Sequence, residues 1–445
     1  MLEVTQLEVS NQQNSRDLRG WVAAGWGIEV ADGLVRVPRA ILRAAVDVTG
    51  AAVEQRAIDR DRYRRVPSAS NPLVREGLER DPVIQRAALA LQVAARKAAG
   101  RRPFRTVAAW PDGCRWAAAF THDLDVVAWW PAFTLLRIAE LARKGAFARI
   151  ATVAASAVSS AGFDPVTQGV VGVLNSEANA HIRSTWFILC GTPTLQTMRA
   201  GDLTYSPEST KARGIIAQVR AIGHEIGLHG SFATLDHNAV FGEQRQRLEA
   251  IAGSPVRGIR QHYVRIQPGV TERAMVTAGF VYDSTFGFPD RNGFRLGVAD
   301  IVPRWDAEAN TAIGIDEAPF AWMDRALSKY RGVEHPAAWS DDALELAATA
   351  RSVGGLWVGL WHPNLTPALG FPDALPAYVA TIAGVLAESP FVAPLDTIVE
   401  WRRARRAARV DAIATDGRVE ASTRVAPPFQ LRLEDGDGRL AETVR

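Results

Sequence analysis

Cysteine and lysine are both scarce in this chain. Its 445 residues include two cysteines, Cys114 and Cys190, and their spacing is not that of a CxxC pair. A disulfide framework is therefore not expected, which is typical of proteins from a reducing compartment. Only four lysines occur, the net charge is +3, and the arginines form no long stripe with interleaved aromatic residues. We therefore expect no nucleic-acid partner.

Long apolar runs are also lacking. No segment reaches the roughly 18 apolar residues that a transmembrane helix needs. The polar segment at residues 1–16 lacks the apolar stretch of a secretion signal. With 47% hydrophobic and 22% charged residues, the composition is that of a soluble globular protein. These features predict a cytoplasmic protein without a membrane span.

Nucleotide-binding signatures are missing, but strand and helix patterns alternate regularly between residues 106 and 400. No G-x-G-x-x-G or Walker motif opens a helix. Apolar runs such as Trp116–Phe120 and Leu356–Trp361 alternate with helical patterns, the longest of which runs from Phe133 to Ser160. Such alternation predicts parallel strands joined by crossover helices. About seven strands favour an α/β fold of the distorted (β/α)7, TIM-like barrel type, with a doubly wound open sheet as the alternative.

The segments on either side of this region differ from it in character. Residues 1–105 are rich in alanine and arginine at helical spacing, and we predict an N-terminal, mainly helical extension. Residues 106–400 are assigned to the barrel. Residues 401–445 contain an arginine-rich stretch and then a turn sequence at 435–438. For this last segment we predict a helix followed by either a β-hairpin or a loose tail.

Five of the eight histidines lie in four short motifs that follow predicted strands. The motifs are Phe-Thr-His-Asp-Leu-Asp at 120–125, Gly-His-Glu-Ile-Gly-Leu-His at 223–229, Gly-Ile-Arg-Gln-His-Tyr at 258–263 and Leu-Trp-His-Pro at 360–363. In a parallel α/β barrel, the catalytic site is assembled from the C-terminal ends of successive strands. The four motifs therefore predict a single hydrolytic site.

The paired aspartates of the first motif suit metal-assisted hydrolysis. Asp123 and Asp125 are two residues apart, so a strand presents both on one face. One carboxylate can bind a divalent cation while the other accepts a proton from water. The alternative is a turn aspartate and a helix N-cap. His229, at the end of the second motif, is predicted to bind metal, whereas His224, at the other end of its strand, is predicted to be structural.

The other two motifs supply a cation and further imidazoles. Arg260 and His262 share a strand face, so Arg260 can keep the catalytic aspartate ionised or stabilise an oxyanion. His262 can complete the metal set. His362 follows a late strand and suits the general acid that protonates a leaving amine. The alternative for His362 is a buried structural histidine before Pro363.

With these motifs, the chain resembles the polysaccharide deacetylase superfamily over about residues 106–400. The similar residues are Asp123 as base and Asp125 as metal ligand in the first motif, His229 in the second, Arg260 in the third, Tyr282-Asp283-Ser284-Thr285 in the fourth, and Trp361-His362-Pro363 with the histidine acid in the fifth. The resemblance implies a distorted barrel of about seven strands, a divalent ion of the zinc type, and hydrolysis of an N-acetyl group on an amino sugar. Segments 258–263, 282–288 and 317–324 resemble a bacterial branch whose members are often intracellular.

One position departs from the family pattern. The usual second motif has another metal-binding histidine four residues after the first, and here that position is Ala233. His262 is our preferred replacement, and His237, in a loop, is the second candidate. The third alternative is an incomplete metal site with weak or absent catalysis, since catalytic zinc normally has three protein ligands.

The sequence therefore predicts a metal-dependent hydrolase that removes an N-acyl group, N-acetyl in the simplest case, from an amino sugar or glycan intermediate. The predicted residues are Asp123, His362 and Arg260 for catalysis, Asp125, His229 and His262 for a divalent metal of the zinc type, and Tyr282, Asp283 and Trp361 for substrate contact. Two alternatives stay open. One is a non-catalytic carbohydrate-binding or assembly protein on a degenerate barrel, and the other is a hydrolase of a non-sugar C–N bond.

Overall fold

The computed structural model describes most of the chain. The described residues are 7–10, 17–31, 33–99, 104–128, 131–143, 145–159, 164–192, 194–195, 205–333, 335–407, 412–413, 419–420, 431–434 and 440–444. The strands are β1 (Leu7–Ser10), β2 (Glu29–Ala31), β3 (Leu34–Pro38), β4 (Phe104–Val107), β5 (Ala117–Leu124), β6 (Thr185–Leu189), β7 (Glu225–Gly230), β8 (Gly258–Gln261), β9 (Tyr282–Asp283), β10 (Val302–Asp306), β11 (Thr311–Glu317), β12 (Trp322–Met323), β13 (Leu356–Trp361), β14 (Phe391–Val392), β15 (Ala412–Ile413), β16 (Val419–Glu420), β17 (Leu431–Glu434) and β18 (Leu440–Val444). The helices are α1 (Leu18–Ala23), α2 (Arg39–Thr49), α3 (Ala52–Arg56), α4 (Pro72–Arg75), α5 (Val83–Ala99), α6 (Pro131–Arg143), α7 (Phe147–Ser159), α8 (Pro165–Asn179), α9 (Thr210–Ile222), α10 (Val240–Ala252), α11 (Val270–Thr277), α12 (Pro336–Ser352), α13 (Ala374–Leu386) and α14 (Leu395–Ala407).

A ten-stranded sheet forms the centre of the fold. Its order is β10-β11-β9-β8-β7-β6-β5-β13-β12, with β14 paired to the start of β5. Every neighbouring pair is parallel except β10 with β11. The central strands β5, β6, β8 and β13 are buried along their whole length. This is expected for parallel strands that are covered on both faces.

The connection from β11 to β12 brings the two ends of this sheet together. The backbone N–H of Ala318 donates to the carbonyl of Asp283 in β9, and the N–H of Ala321 donates to the carbonyl of Val358 in β13. Four residues thus bridge the sheet edges, although the described residues show no ladder between β11 and β12. The sheet thus curves into a ring of seven segments. In order round the ring, these are β5, β6, β7, β8, β9, the β11–β12 connection and β13. The predicted α/β fold with a distorted seven-stranded barrel is therefore confirmed.

The two faces of each strand belong to different apolar clusters. In β5, Ala117 and Ala119 pack inside the ring, whereas Ala118 and Phe120 pack beneath the surrounding helices. The same alternation separates the side chains of β13. Because side chains alternate along a strand, the residue numbers decide which polar groups at the strand ends point into the barrel.

The N-terminal and C-terminal segments add further strands to the predicted helices. Residues before 100 contain α1–α5 and also a small sheet of order β1-β3-β2. At the other end, β17 and β18 form an antiparallel pair, and β17 also pairs with β4. The turn predicted at 435–438 lies outside the described residues. Within the described part of the chain, no helix has both the length and the apolar character needed to cross a membrane.

A buried ion pair joins the N-terminal segment to the barrel. Glu54 and Arg295 are 2% and 4% exposed, and Asn71 donates a hydrogen bond of 2.7 Å to the same carboxylate. Truncating Glu54 leaves the guanidinium buried without its counter-charge. We expect Glu54→Ala to lower the free energy of unfolding by about 3–5 kcal/mol in urea titrations. Glu388→Ala, which removes an exposed pair with Arg351, is the control and should cost about 0–1 kcal/mol; equal losses would contradict the prediction.

Candidate active site

Six predicted side chains converge at one end of the barrel. Five of them line a single cavity of about 300 Å3, and Arg260 lies fully buried behind it. The cavity-lining members are Asp123, Asp125, His229, His262 and His362. Each lies an even number of residues from an inward-facing position of its strand, so its side chain points into the barrel. The structure therefore places residues of all four motifs at or directly behind one cavity.

Three of these groups form the candidate metal centre. Asp125, His229 and His262 offer ligand atoms that all lie within 4.8 Å of one another. Asp125 Oδ1 is 3.3 Å from His229 Nε2 and 3.6 Å from His262 Nε2. His229 Nδ1 lies 2.9 Å from the carbonyl oxygen of Arg260, which fixes Nδ1 as the donor and directs Nε2 towards Asp125.

The alternative third ligand, His237, is placed elsewhere. Its side chain is exposed, and it does not line the cavity. Ala233 lies in a short 3-10 turn (Phe232–Leu235) directly after β7. In the described residues, the Asp125, His229 and His262 group is the one set of three or more such side chains with this spacing. The structure therefore brings His262, rather than His237, to the candidate centre.

The charges around Asp125 favour its ionised form. Burial raises the pKa of Asp125, but the charge of His262, followed by that of the other imidazoles, outweighs burial and lowers the pKa well below its usual value. Its Oδ1 atom is buried and has no hydrogen bond of good geometry within the described residues. A buried carboxylate oxygen facing two imidazole nitrogens has the composition of a site for a divalent ion such as zinc.

Arg260 holds Asp123 in place from below. Its Nη1 atom donates to Asp123 Oδ1 at 3.0 Å and to Thr121 Oγ1 at 2.9 Å. The rest of the guanidinium donates to the backbone carbonyl and hydroxyl of Ser284. One oxygen of Asp123 is thereby occupied, while Oδ2 lies 3.7 Å from His229 Nε2 at the cavity. This geometry orients a free carboxylate oxygen towards the candidate metal centre.

His362 faces the same centre, and Asp324 fixes its orientation. Asp324 is fully buried and accepts hydrogen bonds from His362 Nδ1 at 2.6 Å and from the His362 backbone N–H at 2.7 Å. His362 Nε2 lies 3.7 Å from Asp125 Oδ2. Burial lowers the pKa of His362, yet the charge and hydrogen bond of Asp324 outweigh burial and raise the pKa to about 9. The raised pKa favours the protonated form of His362 at neutral pH.

Asp324 is a residue of this site that the motifs do not identify. It follows the two-residue strand β12 and pairs with a residue 38 positions later. No spacing rule connects two such positions. The available signal is its place at the end of segment 317–324, which resembles the family pattern.

The three predicted substrate contacts are not brought to the cavity. Trp361 has the outward parity of β13 and packs against Trp322, with ring centroids 4.5 Å apart. Tyr282 is fully buried, and its hydroxyl donates to Glu225 at 2.6 Å. Asp283 is also fully buried and accepts a hydrogen bond from Thr285. Trp361 points out of the barrel, and Tyr282 and Asp283 are buried away from the cavity. None of the three can contact a molecule in the cavity, which corrects the prediction.

The two remaining motif histidines belong to a buried network outside the cavity. His122 points away from the barrel interior, and its Nε2 lies 2.9 Å from Glu177 of α8. His224 Nδ1 accepts a hydrogen bond of 2.9 Å from the backbone N–H of Ser184. Both imidazoles pack against the ring of Trp186. This placement agrees with the structural role predicted for His224.

No protein-family model and no curated protein matches the chain. Among solved structures, the chain is similar to a protein described as a polysaccharide deacetylase from Mycobacterium smegmatis, with 24% identity, a TM-score of 0.44, and coverage of 69% of this chain and 96% of that one. An allantoinase gives 15% identity, a TM-score of 0.44 and coverage of 67% and 94%. The chitin deacetylase from Colletotrichum lindemuthianum gives 13%, 0.32, and coverage of 64% and 88%. The polysaccharide deacetylases, which the motifs predict as the family, are represented among these similar structures.

Proposed function

We propose that this chain is a metal-dependent hydrolase that removes an N-acyl group, N-acetyl in the simplest case, from an amino sugar or glycan intermediate. One observation carries the proposal. The Asp125, His229 and His262 group lies in a cavity that also presents a carboxylate, Asp123, and the imidazole of His362, which is hydrogen-bonded to Asp324. A base, an acid and a candidate metal centre in one cavity are the parts that amide hydrolysis requires.

Asp125, His229 and His262 are the residues that would hold the ion. Two imidazoles and one carboxylate match the three protein ligands of catalytic zinc sites. A divalent ion bound there would polarise the acyl carbonyl and make water a better nucleophile at neutral pH. His262 replaces the second metal-binding histidine of the usual family motif, whose position is Ala233 in this chain.

The protein's own groups manage the two proton transfers. Asp123, oriented by Arg260, accepts a proton from the attacking water through its free oxygen as the water oxygen bonds to the acyl carbon. His362 donates its Nε2 proton to the nitrogen as the C–N bond breaks, so the product leaves as a neutral amine. Asp324 holds the imidazole with Nδ1 as donor, which directs Nε2 towards the cavity.

Metal content tests the assignment of the three ligands. After loading with zinc and removal of the excess, we expect about one ion per chain, as for a single site with three protein ligands. Asp125→Ala, His229→Ala and His262→Ala should each lose most of the bound metal in elemental analysis. His237→Ala is the matched control, because it removes an exposed histidine outside the cavity. Retention in His262→Ala together with loss in His237→Ala would reverse the ligand assignment.

A substrate panel separates this proposal from its alternatives. N-acetylated amino sugars and their oligomers should release acetate, and acetate release should stop when a chelator removes the metal. A wild-type protein that binds no metal would favour the non-catalytic carbohydrate-binding alternative. Turnover confined to non-sugar amides or ureides would favour the hydrolase of another C–N bond.

A further inference from the structure

A second feature of the cavity is a wall of cationic and aromatic side chains. Arg325 and Lys329 line the same cavity as Asp125 and His362. Lys329 and Tyr330 lie on a single-turn π-helix (Ala326–Arg331) that ends at Gly332, where φ is +65°. π-helical turns are rare and are frequently found at functional sites. The metal chemistry described above uses neither of these cations.

Lys329 is surrounded by tyrosine rings. Its ammonium nitrogen lies 5.4–5.5 Å from the ring centroids of Tyr63, Tyr263 and Tyr330 and 3.4 Å from the hydroxyl of Tyr63. Tyr63 and Tyr263 are stacked, with centroids 4.7 Å apart. Cation–π contacts hold an ammonium in position without neutralising its charge. Lys329 is therefore oriented towards the cavity and still able to attract an anion.

The other cations near the cavity have carboxylate partners. Arg65 pairs with Asp61 at 2.7 Å, Arg137 pairs with Glu140 at 2.8 Å, and Arg260 pairs with Asp123 at 3.0 Å. Among the described residues, no carboxylate lies within ion-pair distance of Arg325 or Lys329. Burial and then the positive charges of Arg325, Arg62 and Arg65 lower the pKa of Lys329 to about 8, and the charge of Asp125 opposes this shift only in part. Cations that crowd one another beside a cavity are stabilised when an anion binds between them.

We propose that Lys329 and Arg325 form an anion-binding subsite that holds a phosphate or carboxylate group on the substrate. In naming a substrate class, this inference rests on the proposed function: the substrate is an acylated amino sugar that also carries an anionic group. The cations are presented beside tyrosine rings, which suit a sugar face next to the anion. Guanidinium and ammonium groups together match the charge and the acceptor geometry of both anions.

The N-terminal segment completes this subsite. Tyr63 and Arg65 belong to the loop at residues 57–67, which follows α3. Arg65 donates to the carbonyl of Tyr263 at 3.0 Å and to the hydroxyl of Tyr330 at 3.3 Å. The loop therefore joins the barrel turn after β8 to the π-helix and positions the rings around Lys329. The substrate specificity of the barrel thus depends on residues from outside it.

Binding of product analogues tests the subsite without any catalysis. The full chain is treated with a chelator, because a bound cation would itself attract phosphate, and binding is measured by titration calorimetry. We expect glucosamine 6-phosphate to bind at least about tenfold more tightly than glucosamine, as for one charge-assisted contact. Glucosaminuronic acid, with its carboxylate at the same position, distinguishes the two anions, and tight binding of either one supports the subsite.

Matched variants locate the binding. Lys329→Met and Arg325→Met should each weaken binding of the preferred anion by about tenfold or more. Lys97→Met removes an exposed lysine on α5 and should leave binding within twofold. Unfolding midpoints are measured for every variant, and if Lys329→Met does not fold, Arg325→Met decides. Equal affinity for glucosamine and both anions, or wild-type affinity in the folded variants, would overturn the subsite. Because no turnover is measured, this result is independent of whether the chain hydrolyses an N-acyl group.

Discussion

Replacing Asp123 with asparagine is expected to lower kcat by about 10²–10⁴-fold and to leave the metal content unchanged. Asparagine has nearly the same size, and its amide oxygen can still accept the hydrogen bond that Arg260 donates at 3.0 Å. A neutral amide, however, cannot take a proton from the attacking water. The measurements are acetate release with saturating substrate and elemental analysis of the same protein sample.

The control for Asp123→Asn is the same exchange at an exposed position. Asp341 lies on α12, outside the cavity, and Asp341→Asn should have wild-type kcat and metal content. If Asp123→Asn kept activity within tenfold of the wild type, Asp123 would not be the base. If it lost the metal as well as the activity, its role would be ligation rather than proton transfer.

Replacing Asp324 with asparagine is expected to lower kcat by about 10²-fold or more and to change its pH dependence. His362 acts in its protonated form, so activity is present below its pKa and is lost as the pH rises through about 9. The charge of Asp324 raises that pKa, and removing the charge should therefore move the alkaline limb of the kcat profile to lower pH. The measurement is the full pH profile of kcat for wild type and variant. The charge of Asp125 also raises the pKa of His362, but a bound cation would offset that charge. In the metal-loaded enzyme, the raised pKa of His362 therefore depends chiefly on Asp324.

A double substitution shows whether Asp324 acts through His362. His362→Asn alone should remove the alkaline limb together with most of the activity. Adding Asp324→Asn to that variant should then change kcat by less than about threefold, since the two residues form one contact and their effects do not add. Additive losses, or an unchanged alkaline limb in Asp324→Asn, would show that Asp324 has only a structural role.

Strand periodicity accounts for most of what could be predicted about the site. The apolar runs before the motifs identify β5, β7, β8 and β13, and a period of two then assigns Asp123 and Asp125 to one face. The same rule places His362 inside the barrel and Trp361 outside it. Trp361, for which substrate contact is predicted, therefore packs against Trp322 outside the barrel.

Local signals accounted less well for helix boundaries and long-range partners. The helical pattern predicted from Phe133 to Ser160 is two helices, α6 and α7, separated near Gly145, where φ is +69°. Glycine reaches this left-handed conformation without steric cost, so a single residue ends the helix within an otherwise helical composition. The choice between His262 and His237 also stayed open, because ligand spacing along the chain does not determine distance in space.

The sequence by itself determined the alternation of strands and helices, the parallel sheet that follows from it, and the set of polar side chains at the strand ends. These features depend on interactions between near neighbours, which periodicity and turn chemistry reveal. Only the tertiary structure decided which histidine joins Asp125 and His229, which carboxylate orients His362, and which loop surrounds Lys329. Each of these contacts joins residues far apart in the chain, and their distances are set by how the barrel closes and how the N-terminal segment packs against it.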